Sequence, residues 1–322
     1  MSPILNVENL SVAFRGGDAE IAAVRQVSLE VAAGECVAVV GESGCGKTQI
    51  CLAIMGLLPA NARVGGSVRF DGRDLLAAPR AHLNAVRGAK LAMIFQDPQS
   101  SLTPHLRIGT QMAEVLVEHR RSGWRDAEAA ALAMLRRVRV PDAARRMRQY
   151  PHELSGGMRQ RVMIGMSLLC EPDVVLADEP TTALDATIQA QVIETLREMR
   201  REFRTSIVLV SHDLSVVAGL ADRVYVMYAG RVVECASAAD LFAHPRHPYT
   251  AALMNCVPRI SGPVPARLET LPGQPPNPAE RIDGCAFAPR CAFATERCAR
   301  EAPPLRPLEG STVAACHQPL PR

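Results

Sequence analysis

Residues 41–48 read GESGCGKT, a G-x-x-x-x-G-K-[ST] pattern set directly after the apolar run ECVAVV (Glu35 to Val40) and directly before the helical pattern KTQICLAIMGLL. No other feature constrains the fold as tightly, because the pattern needs a buried strand, a tight loop and a helix N-terminus in succession. Gly41, Gly44 and Gly46 let successive backbone N–H groups, those of Glu42, Ser43 and Cys45 among them, turn inward on phosphate oxygens. Lys47 then reaches the β and γ oxygens as a point charge, Thr48 offers a hydroxyl to Mg²⁺, and the helix N-terminus adds positive potential. Cys45 lies near enough to that terminus for its thiol pKa to be lowered, so that a bound nucleotide would shield a reactive thiol; the alternative is a small residue that the loop tolerates.

The rest of the chain reads as α/β. ILNVENLSVAF and AAVRQVSLEV alternate around the turn RGGD and predict an antiparallel sheet at the start. ECVAVV, LAMIF (Leu91 to Phe95), VVLAD (Val174 to Asp178), SIVLVS (Ser206 to Ser211) and RVYVMYAG are near-continuous apolar runs of the kind buried on both faces of a parallel sheet. Helical segments such as ATIQAQVIETLREMRREF lie between them, so the sheet is built on crossovers. Gly109 to Arg148, rich in Ala, Leu and Arg without strand signals, predicts a helical insertion within about residues 100–170.

Composition excludes several classes. With 48% hydrophobic residues and mean hydropathy +0.04, the chain is neither disordered nor low-complexity. Its most apolar stretch is interrupted by His212, Asp213, Asp222 and Arg223, so no membrane-spanning helix is expected. MSPILNVENL has no basic region followed by an apolar block, which predicts a cytosolic address. The formal charge of +3 gives no electrostatic case for nucleic acid. Local charge is higher: nine arginines face three acids between His119 and Gln149, either a solvated helical face or a basic surface docking on a partner or the inner leaflet.

VVLADEP ends a strand in two adjacent acids, which packing alone does not call for. Asp178 is expected to hold Mg²⁺ through water, and Glu179 to orient and deprotonate the attacking water as general base. LSGGMRQR (Leu154 to Arg161) sets Ser155 as an N-cap with two glycines in the first helical turn. Such glycines cost about 1 kcal/mol each inside a helix unless backbone must approach something closely, and an anion at the helix N-terminus fits.

With LSGGMRQR the chain resembles the ATP-binding cassette (ABC) proteins, whose signature is LSGGQ; Met158 replaces the usual Gln. The resemblance implies a P-loop NTPase fold of the ABC nucleotide-binding type, with an antiparallel β subdomain, a helical subdomain and a small Cys/Pro-rich C-terminal extension. It implies that Ser155, Gly156 and Gly157 contact the γ-phosphate of ATP held on an opposing subunit, so that two cassettes sandwich two nucleotides. Gln96 in IFQDPQSSL matches the loop that senses Mg²⁺, water and the membrane partner; Thr182, Ala183, Leu184 and Asp185 match the D-loop; His212 in SHDLS matches the switch histidine on the γ-phosphate. Phe14 stands where the family places an aromatic against adenine.

HPRHPYTAALM from His244, LPGQPPNP from Leu271, GCAFAPRC and AACHQP are similar to one branch of that family, the ATPase subunits (D type) of dipeptide and oligopeptide importers. The similarity spans essentially the whole chain. Thr103 stands where Asn is usual and Gly165 where Ala is usual; Thr103 lies near the partner-facing loop. Thirteen of the 24 prolines fall between Pro258 and Arg322, which divides the chain into an ATPase domain, 1–257, and an extension, 258–322. A Pro-rich segment builds little core, so the extension either drapes over the main domain or is stapled.

Ten cysteines in a reducing compartment disfavour structural disulfides. Cys285, Cys291, Cys298 and Cys316 form a thiolate set in the core-poor tail, which suggests a metal staple, with spacings unlike the paired knuckles of zinc ribbons. The branch it resembles carries a [4Fe–4S] cluster in this tail; zinc and free thiols are the alternatives. The resemblance further implies two transmembrane permease subunits, a second cassette that is a paralogue, an extracytoplasmic solute-binding protein acting indirectly, and a peripheral position on the cytoplasmic face of the membrane. Cargo stays open among peptides, nickel, glutathione and opine-type compounds. A soluble non-transport ABC ATPase would carry two cassettes in one chain or a long coiled coil, and neither is present.

Overall fold

Cys36–Val40 shows why the apolar runs lack alternation: Val37 and Val39 pack on one face of a sheet while Cys36, Ala38 and Val40 pack on the other. The computed structural model describes residues 3–16, 19–182, 184–256, 271–280 and 282–322. Its strands are β1 (Leu5–Gly16), β2 (Ala19–Val31), β3 (Cys36–Val40), β4 (Ala62–Phe70), β5 (Arg73–Asp74), β6 (Leu91–Ile94), β7 (Val174–Asp178), β8 (Ser206–Ser211), β9 (Arg223–Tyr228), β10 (Arg231–Ser237), β11 (Arg306–Pro307) and β12 (Val313–Ala314). The larger sheet runs β11-β12-β10-β9-β3-β8-β7-β6, parallel from β9 to β6. The smaller one, β2-β1-β4-β5, is antiparallel and packs with the helix Lys47–Met55 on the face carrying Val37 and Val39.

β4 and β10 did not stand out in the sequence. β4 carries Gly65 and Gly66 and is largely exposed along its first half, so it has no apolar signature. β10 follows β9 through the two-residue turn Ala229-Gly230, both with positive φ (47° and 80°), the geometry that matches strand twist in a hairpin.

The helical insertion is present as Ile108–Arg120, Trp124–Arg137, Ala143–Arg146 and Gly156–Leu168. Trp124–Arg137 buries Ala127, Ala131, Met134 and Leu135, an i, i+4, i+7, i+8 stripe that leaves its arginines outward. Part of the basic excess is satisfied within the chain: Arg137 pairs with Glu202 and lies over the Phe203 ring at 4.7 Å, and Arg139 pairs with Glu198 at 2.6 Å. Gly165 fits the same packing, since a Cβ there would meet Met134 and Val138 at 3.3 Å.

The boundary expected at 257/258 lies outside the described residues, as does Ala183. Beyond it the tail drapes over the main domain and extends its sheet: β12 pairs antiparallel with β10, and the Ala315 N–H donates to Val233 O at 2.7 Å. Phe287 is buried edge-on against Tyr228 and Tyr249, with centroids 5.3 and 5.4 Å away. The tail therefore shares the core of the ATPase fold.

Candidate functional site

The loop 41–46 joins the C-terminal end of β3 to the helix Lys47–Met55, at the carboxyl edge of the parallel strands where such sheets bind ligands. Glycine is required at two of its positions. At Gly46 φ is 99° and a Cβ would lie 2.3 Å from Ala23 O; at Gly41 it would lie 2.3 Å from Met227 O. Lys47, 5% exposed, aims its ammonium back across the loop and donates to Gly41 O (2.8 Å) and Glu42 O (3.0 Å).

Phe14, Ser43, Gly44, Gly46, Lys47, Thr48, Gln96 and Glu179 line one cavity of about 340 Å³, joined by Ile21, Ala23, Gln49 and Pro278. From the lining, Thr48 Oγ1 donates to Asp178 Oδ1 at 3.1 Å, a hydroxyl and a carboxylate converging where a divalent cation could be held. Asp178 is 1% exposed at the end of β7, and burial together with the neighbouring Glu179 charge pushes its carboxyl pKa up, against the Thr48 hydrogen bond.

Glu179 has φ 48°, a left-handed conformation that costs a non-glycine residue about 1–3 kcal/mol. Surrounding contacts hold it there. Its N–H donates to Val210 O (2.9 Å), its Oε2 accepts from Gln96 Nε2 (3.0 Å) and Thr182 Oγ1 (2.9 Å), and His212 Nδ1 lies 3.2 Å from its Oε1. A carboxylate fixed this way beside the phosphate loop, with an imidazole in reach, is arranged for proton abstraction from a water.

Ser155, Gly156, Gly157 and Asp185 are not brought to this cavity. Ser155 caps the helix Gly156–Leu168, accepting from Met158 N at 3.4 Å, and Asp185 caps Ala186–Phe203, accepting from Thr187 N (3.1 Å) and Ile188 N (3.0 Å). A Cβ on Gly157 would touch Ile188, so the two helix starts adjoin.

Of the two readings of Cys45, the structure does not favour a lowered thiol pKa. The residue is 6% exposed, and burial raises its pKa by more than the adjacent Lys47 lowers it. The Glu42 N–H, expected to face phosphate, donates to the Tyr249 hydroxyl at 3.0 Å, and its carboxylate is bound by Arg290 of the tail. That pairing and Pro278 in the cavity wall were not found from sequence, since nothing local signals a contact across more than 230 residues.

Cys285, Cys291, Cys298 and Cys316 all line one small cleft beside His247 and His317. The donor set is of the right kind for soft metal chemistry. The cleft is closed to about 20 Å³, room for roughly one water. Among the described residues no group of three or more His, Cys, Asp or Glu is disposed to hold a metal ion, so the geometry does not support the expected [4Fe–4S] cluster or a zinc site as packed. All ten cysteines are free. Burial raises the thiol pKa values of Cys285, Cys291 and Cys316.

Known proteins resemble this chain over most of its length. The family model for the ABC transporter domain matches residues 24–182, and that for the C-terminal region of oligopeptide/dipeptide transporters matches residues 233–298. The chain is 48% identical over 98% of its length to the oligopeptide transport ATP-binding protein OppD of Escherichia coli, covering 94% of that protein. It is 50% identical over 92% of its length to OppD of Haemophilus influenzae, again covering 92% of the relative. A solved dimer of the ATP-binding cassette MJ0796, in a post-hydrolysis state with ADP and Pi, superposes with TM-score 0.66 at 26% identity, over 73% of this chain and 98% of that one. The chain belongs to the ABC transporter family as an ATP-binding, ATP-hydrolysing subunit. Within that family it belongs to the branch whose tail is the oligopeptide/dipeptide transporter C-terminal region. Among the described residues no helix is long and apolar enough to cross a membrane.

Proposed function

We propose that this ATPase energises the import of peptides, working on the cytoplasmic face of the membrane with two transmembrane permease subunits and a second, paralogous cassette. The observation that carries the cargo is the identity of 48% across 98% of the chain, tail included, with an oligopeptide transport protein. A solute-binding protein outside the membrane would deliver the peptide to the permease.

Residues 1–257 act as the ATPase domain and 258–322 as the extension. ATP enters with its base toward Phe14 and its phosphates along Ser43 to Thr48, where Lys47 neutralises the β and γ oxygens. Thr48, Asp178 and Gln96 would hold Mg²⁺, whose charge offsets that developing on the phosphates in transfer. Glu179 takes the proton of the attacking water, while His212 orients it and reaches the γ-phosphate. Ser155, Gly156, Gly157 and Asp185, at the adjoining helix starts away from the cavity, serve the nucleotide of the opposing cassette, which is why they do not line their own. Closure on two ATP and reopening after hydrolysis pass through the helical insertion to the permease. On their chemistry alone the four tail cysteines are proposed as thiolate ligands of a [4Fe–4S] cluster, for which their cleft, closed to about 20 Å³, would have to open.

Reconstitution with the permease subunits tests the cargo. Labelled di- and oligopeptides are expected to accumulate only with ATP, unaffected by excess nickel or glutathione. Uptake of those solutes in place of peptides would overturn the peptide assignment and leave the ATPase intact.

A further inference from the structure

The C-terminal tail grips the phosphate loop. Arg290 ends a short 3₁₀ turn, Ala288–Arg290, set between two of the tail cysteines: Ala288 N donates to Cys285 O at 3.0 Å and Cys291 N to Ala288 O at 3.2 Å. From this turn the guanidinium, with its side chain 4% exposed, makes two parallel hydrogen bonds to Glu42, Nη1 to Oε2 at 2.7 Å and Nη2 to Oε1 at 2.9 Å. Tyr228 and the Pro272 carbonyl fix its other donors, at 3.2 and 2.9 Å.

Glu42 is the second residue of the phosphate loop, and each of its polar groups is engaged. Its N–H donates to the Tyr249 hydroxyl at 3.0 Å, and its carbonyl accepts from Lys47 Nζ at 3.0 Å. The tail also reaches the cavity directly. Pro278 lines it across from Phe14 and Ile21, and Arg25 Nη2 donates to the carbonyls of Pro278 (3.2 Å) and Glu280 (3.3 Å).

We propose that Arg290 is a positioning residue for nucleotide binding: by fixing Glu42 from the tail, it fixes the loop backbone that orients Lys47 and keeps a carboxylate turned away from the phosphates. A two-pronged guanidinium–carboxylate pair is directional, and a partly buried one is screened by salt less than an exposed one. Without Arg290 the Glu42 charge loses its partner and is free to approach the nucleotide, where it repels the phosphates. The tail, on this account, is a working part of the ATP site.

The inference rests on the loop binding phosphates, which Lys47→Ala tests separately. In the full-length chain, titration with MgATP is expected to show Kd raised about tenfold by Arg290→Gln, with partial recovery in Arg290→Lys, since a single charge replaces a fork. Glu42→Ala should also raise Kd, and the double variant should bind no worse than the weaker single one, the mark of residues acting as a unit. In the complex with permease subunits the change should fall on KM, with kcat within about twofold. A residue that merely anchors the tail would lower Tm and leave Kd alone. Wild-type Kd in a folded Arg290→Gln protein overturns the proposal. If that variant does not fold, Glu42→Ala decides, a raised Kd supporting the proposal and an unchanged one overturning it. Unchanged affinity in Lys47→Ala would instead overturn the loop reading beneath it.

Discussion

His212 Nδ1 lies 3.2 Å from Glu179 Oε1, joining the residue after β8 to the residue after β7 across neighbouring parallel strands. The imidazole is 56% exposed and the carboxylate 14%, so the carboxylate is sheltered and the histidine stands at the rim of the site. His212→Ala should therefore lower kcat by about 10²-fold or more while leaving MgATP affinity within a few-fold, because it removes an orienting group and leaves the phosphate loop whole. Steady-state hydrolysis by the permease complex, paired with a binding titration, checks this. A kcat equal to wild type would remove His212 from the reaction.

Lys47→Ala is expected to weaken nucleotide binding itself. Among the described residues lining the cavity the ammonium is the one cation, and it sits where the β and γ oxygens are expected. Equilibrium titration should show Kd raised by about tenfold or more.

Asp213 gives a pH signature. Burial pushes its carboxyl pKa up, but hydrogen bonds from Ser215 and Gln189 and from the backbone at the start of the helix Leu214–Leu220 outweigh it and leave the pKa below its ordinary value. A carboxyl depressed by folding contributes stability above its unfolded pKa and loses it as pH falls through the folded one. Asp213→Ala should cost about 1 kcal/mol near neutral pH, the usual worth of such a cap. The gap from wild type should narrow below about pH 4, where the carboxyl protonates. Urea unfolding at pH 7 and at low pH measures both values, and a gap that widened in acid would refute the sign.

Much of this was legible in the sequence, and for physical reasons. Local patterns fixed local geometry: GESGCGKT demanded glycines where backbone closes on Ala23 and Met227, and the unalternating runs became strands buried on both faces. ATIQAQVIETLREMRREF is a helix over the predicted span, Ala186–Phe203, capped by Asp185. What stayed hidden depends on distant partners. β4 has no apolar pattern, β11 and β12 are two residues each, and the Arg290–Glu42 pair joins positions far apart in the chain. Which of the two readings of Cys45 holds was hidden for the same reason, since its thiol pKa follows burial beneath the loop more than its place near a helix N-terminus.

Metal analysis tests the tail. Anaerobically purified chain is expected to carry about four irons, with absorption near ~400 nm, and to lose them in Cys298→Ala. Absence of both iron and zinc would make the cleft a plain packing site and leave the ATPase assignment standing.

The most direct test of the whole account is phosphate release and peptide uptake measured together in the reconstituted transporter, with wild-type chain and with Glu179→Gln. The account predicts that the variant binds MgATP with wild-type affinity yet loses both hydrolysis and uptake, by a factor of about 10²–10⁴. Vigorous hydrolysis by Glu179→Gln, or uptake that persists without it, would contradict the assignment of Glu179 as the base that drives transport.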